Sequence, residues 1–110
     1  MGAAMSPFNA FMFIQGLETL ALRMREHSSN AEIIAKYLSE HDSVERVIYP
    51  SVMEGYAKDR ADKYLTKGNG GLMGFEIKGG RESGEKFINA LEMVYHVANI
   101  GDSRLSLIHI

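Results

Sequence analysis

A helical apolar period runs from Ser6-Pro7 to about His41 with no proline inside it. Phe13, Leu17, Leu20, Met24, Ala31, Ile34 and Leu38 recur at spacings of three, four or seven, which places them on one stripe. Arg23, Arg25, Glu32, Lys36 and Glu40 fall largely off it. Ser6 can cap free backbone N–H groups, and proline is tolerated at the first helical position. Gly16 is the weak point, costing about 1 kcal/mol against alanine in a helix interior.

The stripe predicts a single helix of roughly 34 residues, hence ~50 Å long. A compact domain of 110 residues has a radius of gyration of only ~13 Å. The rest of the chain therefore cannot cover such a helix end to end. Its first turns are also apolar on nearly every side, because Phe8, Ala10, Phe11, Met12, Phe13 and Ile14 point in all directions. A helix of that kind needs partners all round. Another domain or subunit is expected against residues 5–20, with Phe8, Phe11, Met12 and Ile14 left partly exposed in this chain alone.

Composition narrows the function classes. Hydrophobic residues make up 45% and charged residues 24%, which is globular usage. Fourteen acidic against twelve basic side chains give a net charge of -2, and basic residues do not cluster, so no nucleic-acid groove is expected. The absence of cysteine excludes a disulfide scaffold, a cysteine-ligated metal and a thiol nucleophile within the chain. The N-terminus lacks a basic region before its apolar stretch and does not read as a signal peptide. The apolar run Ala10–Ile14 is too short to cross a bilayer, so no membrane partner is expected.

Beyond His41 the pattern alternates. Val44–Tyr49 reads as a strand closed by Pro50, Tyr56–Leu65 as a helix, and Lys67–Gly71 as a turn. Leu72–Lys78 reads as a strand, Gly79-Gly80 as a break, Ser83–Val94 as a helix and Val97–Ile100 as a strand. A long N-terminal helix followed by alternating strands and helices predicts an α/β fold, in an α+β layer with helices on one face.

Four features invite chemistry. His27 and His41 are fourteen residues apart on one predicted helix, ~21 Å along its axis, and cannot share an ion. His96 and His109 lack clustered carboxylates, so no metal site is expected. Gly79 and Gly84 have the spacing of a phosphate loop, but Glu85 stands where its lysine belongs and would repel phosphate. Gly68-Asn-Gly-Gly71 precedes a strand, not a helix, and reads as a turn. Asn99-Ile-Gly-Asp-Ser-Arg104 gathers an amide, a carboxylate, a hydroxyl and a guanidinium at a strand end, where α/β layers place ligands; a capped turn is the competing reading.

Four segments in register resemble one family. Gly2-Ala-Ala-Met-Ser-Pro-Phe-Asn-Ala-Phe11 and Gln15-Gly-Leu-Glu-Thr-Leu-Ala-Leu-Arg-Met24 are similar to the start of the C-terminal domain of the Cys/Met-metabolism pyridoxal-phosphate enzymes. Gly70–Gly80 and Val97–Arg104 are similar to the same family in the same order. The resemblance spans residues 2–104 and lies nearest the sulfhydrylase branch.

That resemblance implies a fold-type I enzyme whose large domain binds pyridoxal 5'-phosphate and whose small C-terminal domain closes the substrate site. It implies transfer of the four-carbon group of O-acetylhomoserine to sulfide or a thiol, giving homocysteine or methionine. A cystathionine synthase- or lyase-type reaction is the alternative within the family, and a standalone α/β ligand-binding or interaction domain is the alternative outside it. The expected domains are 1–41 as a connecting helix leaving a large domain absent here, 42–104 as the small α/β domain, and 105–110 as an aberrant tail left by truncation.

The implied partners are that large domain, neighbouring subunits of a cytoplasmic homo-oligomer, and a small amino-acid substrate. Asn99 matches a position near the substrate carboxylate, and Arg104 belongs to the same motif. The Schiff-base lysine and the cofactor contacts are expected upstream of residue 1, so the chain alone is expected to be inactive.

Overall fold

In the computed structural model, residues 4–97 and the backbone of 106–107 are described. The elements run α1 (Pro7–Glu18), α2 (Leu20–Ser39), β1 (Val44–Ile48), α3 (Gly55–Tyr64), β2 (Gly74–Ile77), α4 (Gly80–Asn89), β3 (Tyr95–His96) and β4 (Ser106–Leu107). The order is the expected α/β alternation. Among the described residues no helix is long and apolar enough to cross a membrane.

The expected single helix is divided. Ser6 caps α1 by accepting from the Asn9 N–H at 3.2 Å, and Pro7 opens it. The helical ladder stops at Thr19, whose N–H turns back to the Leu17 carbonyl. It restarts with the Arg23 N–H on the Thr19 carbonyl at 3.0 Å. Both sequence signals at the break are local: Gly16 gives the backbone latitude, and the β-branched Thr19 is a weak helix former.

Burial follows the expected stripe only at Ala31 and Leu38. No residue of α1 is buried. Phe13 and Leu17 are each 63% exposed, and Phe8 is 69% exposed. On α2 the buried positions are Ala31 and Ala35, with Leu38 packed beside them. Ile34 lies partly in solvent. The methyl side chains let α2 approach β1 closely, so the contact face is the one carrying alanines. As expected, Phe8, Phe11, Met12 and Ile14 are exposed. The molecule extends 53 × 36 × 27 Å, with a radius of gyration of 17.3 Å, well above the ~13 Å of a compact domain of this length.

The core is small and sits between α2 and the β1–β2 pair. It consists of Ala31, Ala35, Val47 and Tyr49, flanked by Leu38, Val44, Val52, Met73 and Phe75. β1 and β2 are antiparallel, with Val44 opposite Ile77, Val47 opposite Phe75 and Ile48 opposite Gly74. An irregularity between Val44 and Arg46 resets the alternation. Val44 and Val47, three residues apart, can then both turn to the core, as a bulge allows. Arg46 and Glu76 form a cross-strand ion pair on the exposed face.

α4 is displaced from the expected Ser83–Val94. Gly79 supplies a left-handed N-cap at φ 95°, a conformation that favours glycine. Arg81–Glu85 and Glu82–Lys86 pair at i,i+4 across the early turns. Residues 80–82 are therefore helix, and the helix ends at Asn89, earlier than expected. α4 meets β2 where the Phe87 ring stands edge-on to Phe75, 5.7 Å between centroids. The third strand also falls earlier than expected: β3 is Tyr95–His96, and it pairs in parallel with β4. Val97 lies outside β3, and residues 98–100 of the expected strand lie outside the described residues.

Candidate functional site

Asn99 and Arg104, the expected substrate contacts, lie outside the described residues, as does His109. The polar groups that the described residues do bring together lie around Tyr49. This tyrosine directly follows β1, and its position beside the α2 alanines encloses it completely, at 0% exposure. Its hydroxyl donates to the Gly70 carbonyl at 2.8 Å and stands 3.4 Å from the Ser28 carbonyl. A buried hydroxyl needs such a partner, because an unpaired one costs free energy. Burial raises the Tyr49 pKa above the usual 10.0, and the nearby Glu32 carboxylate adds to the rise.

The Gly68–Gly71 segment completes the arrangement. The Gly70 N–H donates to the Ser28 hydroxyl at 3.2 Å, and the Asn69 amide donates to the Glu32 carboxylate at 3.2 Å. Glycine is required here by two separate constraints. Gly68 and Gly70 have φ of 131° and 82°. A Cβ on Gly68 would stand 3.1 Å from the Ser28 hydroxyl, and one on Gly71 would stand 3.0 Å from the His27 Cβ. The sequence reading of this segment as a turn agrees, but it gave no sign that the turn is fastened to α2. Tyr49 was missed as well, since in sequence it is the last residue of a strand.

The histidines do not converge. His27 Nε2 is buried without a hydrogen-bond partner among the described residues. His41 Nδ1 accepts from the Ser43 N–H at 3.1 Å and serves the turn into β1. His96 is exposed on β3. Among the described residues no group of three His, Asp or Glu side chains could hold a metal.

The model of the Cys/Met metabolism PLP-dependent enzymes matches residues 1–110. The chain belongs to that family. It is 46% identical over 110 residues to an O-acetyl-L-homoserine sulfhydrylase of Leptospira meyeri, covering 99% of this chain and 25% of that protein. It is 41% identical over 108 residues to a homocysteine synthase of Schizosaccharomyces pombe, covering 98% and 25%. Its fold superposes with a TM-score of 0.84 and 36% identity on a putative O-acetylhomoserine (thiol)-lyase of Campylobacter jejuni, covering 94% of this chain and 24% of that one. That structure carries N'-pyridoxyl-lysine-5'-monophosphate at position 205. The chain thus spans about a quarter of the length of the curated relatives it matches.

The lysines of this chain do not fit a seat for pyridoxal phosphate. Lys58 pairs with Asp62 and Lys86 with Glu82, while Lys78 donates to the Asp42 carbonyl. Lys36, Lys63 and Lys67 are exposed. A Schiff-base lysine is activated by desolvation or by neighbouring cations, and none of these side chains has either. The helix N-terminus at Gly79–Arg81 is followed by Glu82 and Glu85, which oppose a phosphate.

Proposed function

We propose that this chain works as part of a pyridoxal-phosphate enzyme that transfers the four-carbon group of O-acetylhomoserine to sulfide or a thiol. The identity of 46% along the whole chain to a sulfhydrylase carries this reading. The apolar, uncovered α1 supports it, because a helix with no buried residue is built to be covered by something else. The proposed cover is a large cofactor-binding domain, of which this chain holds no part, with neighbouring subunits beyond it.

The proposed division is residues 1–41 as connecting helix, 42–104 as small α/β domain and 105–110 as tail. Within it, Asn99 is the substrate contact: its amide N–H groups can donate to the carboxylate of an amino-acid substrate. Arg104 lies in the same motif and can add a cationic fork.

The experiment is steady-state kinetics of the full-length protein loaded with pyridoxal phosphate. O-acetylhomoserine with sulfide or methanethiol should turn over. Turnover of cystathionine in preference to both would overturn the sulfhydrylase reading. Asn99→Ala should raise KM for the amino acid by the equivalent of about 1.5–3 kcal/mol, the worth of a hydrogen bond to a charged group, while the cofactor absorbance stays unchanged. Unaltered kinetics would remove Asn99 from the site.

A further inference from the structure

The break at Thr19 is bridged by one side chain. Arg23 lies seven residues after Gly16, two turns along the same face, and its Cα–Cβ bond leans towards the helix N-terminus. Its Nη2 donates to the Gly16 carbonyl at 2.8 Å, and its Nε stands 3.4 Å from the Thr19 hydroxyl. It thus ties Gly16, across the break, and Thr19, at the break itself, to its own helix. The ladder halts at Thr19, so the last carbonyls of α1 need other donors. The Leu17 carbonyl takes the Thr19 N–H, and the Gly16 carbonyl takes the guanidinium. Arg23 is half-buried, unlike Arg25 two residues on.

The two helices joined by this bridge have opposite fates. The second half of α2 is fixed into the core through Ala31 and Ala35, whereas α1 buries nothing in this chain. A rotation at Thr19 would therefore swing α1 relative to the β1–β2 unit without disturbing the core.

We propose that Arg23 is a positioning residue: by bonding Gly16 and Thr19 across the break, it fixes the angle at which the β1–β2 unit is presented to the body that covers α1. This deepens the reading above and rests on it, since the body in question is the proposed cofactor domain. A substrate held between the two would then depend on Arg23 without touching it. A single charge-assisted fork suits the task, because its planar geometry admits one orientation where a point charge admits many.

The test compares full-length holoenzyme as wild type, Arg23→Met and Arg23→Lys, by hydrogen–deuterium exchange and by kinetics. Arg23→Met keeps the length of the side chain and removes the donors. Exchange should rise severalfold in peptides spanning residues 13–26, while peptides spanning 44–49 and 74–77 stay at the wild-type rate. KM for the amino-acid substrate should rise roughly 3- to 10-fold, as expected when the binding-competent arrangement is only partly populated, with kcat within about twofold of wild type. Arg23→Lys should recover part of both effects.

Unchanged exchange over residues 13–26 in Arg23→Met would overturn the proposal. So would an equal rise in the β1 and β2 peptides, which would make Arg23 a general support of the fold. A fall in kcat at constant KM would do the same. If wild-type holoenzyme turned over no acylated homoserine, the proposed function would fail, while the exchange comparison would still decide whether Arg23 braces the break.

Discussion

The Tyr49 hydroxyl and the Gly70 carbonyl, 21 residues apart, are joined by a 2.8 Å hydrogen bond made from a fully enclosed side chain. Removing the hydroxyl leaves the Gly70 carbonyl without that donor and opens a small gap between α2 and the glycine segment. Tyr49→Phe is expected to destabilise the β1–β2 unit by about 1–3 kcal/mol, the cost of a buried polar group left unpaired. Native-state hydrogen exchange at the amides of residues 47–49 checks it. A change under ~0.5 kcal/mol, the lower end of what a hydrogen bond contributes, would show that the bond is dispensable.

The same phenol gives a pH dependence with a definite sign. Burial and Glu32 raise its folded pKa above the ordinary 10.0, so the unfolded chain loses the proton first. The contribution is complete below about 10 and disappears as pH climbs towards the raised folded value. The melting-temperature gap between wild type and Tyr49→Phe should therefore be constant from pH 7 to 9 and narrow above about pH 10. A gap that widened in alkali would contradict the enclosure of Tyr49.

Glycine substitutions should divide by position. Gly68→Ala forces a side chain onto a φ of 131° and against Ser28, and should cost about 1–3 kcal/mol. Gly16→Ala meets nothing within 4 Å. It should stabilise α1 by up to about 1 kcal/mol while leaving the carbonyl that Arg23 uses. Thermal melts of the two variants should move in opposite directions.

The uncovered face of α1 predicts association of the chain by itself. Phe8, Phe11, Phe13 and Ile14 are all more than half exposed, and a contiguous apolar surface of that kind drives contact with other molecules. Residues 1–110 should run as oligomers or aggregates in light scattering. Replacing Phe11 and Ile14 by glutamate should shift them towards the monomer.

Where sequence and structure agree, the signals were local. Ser6-Pro7 started a helix as capping chemistry requires, and Pro50 closed a strand that ends at Ile48. The exposure of Phe8 and its neighbours followed from length alone, because no chain of this size could surround them. Where they differ, a tertiary or side-chain effect intervened. The expected stripe met the observed contact at Ala31 and Leu38 but not at Phe13, Leu17 or Ile34, because packing on β1 selected the face with the small Ala31 and Ala35.

The start of α4 was concealed because its glycines read as a loop, while the i,i+4 ion pairs that help to hold it, Arg81–Glu85 and Glu82–Lys86, lie within that same stretch. The bridge from Arg23 to Gly16 was invisible because it needs the break at Thr19 to exist. The Asn99–Arg104 motif stood out by its polar groups at an expected strand end and by family pattern, and it lies outside the described residues. The Tyr49 cluster joins groups up to 42 residues apart, beyond the reach of any periodicity.

The enclosure of Tyr49 also sets an order of events for the growing polypeptide. Its hydroxyl can find its acceptor only after Gly70 has arrived over Ser28, a loop closed across 42 residues. Until residues 70–75 have emerged during synthesis, Tyr49 lacks the Gly70 carbonyl, and its cluster lacks Met73 and Phe75. The glycine segment, with Met73 and Phe75 close behind it, is then the closing piece for the Tyr49 cluster. Contacts so distant in the chain are slow to form, so a variant that delays this closure would lengthen the time for which the nascent chain presents Tyr49, together with the bare face of α1, to whatever else is nearby.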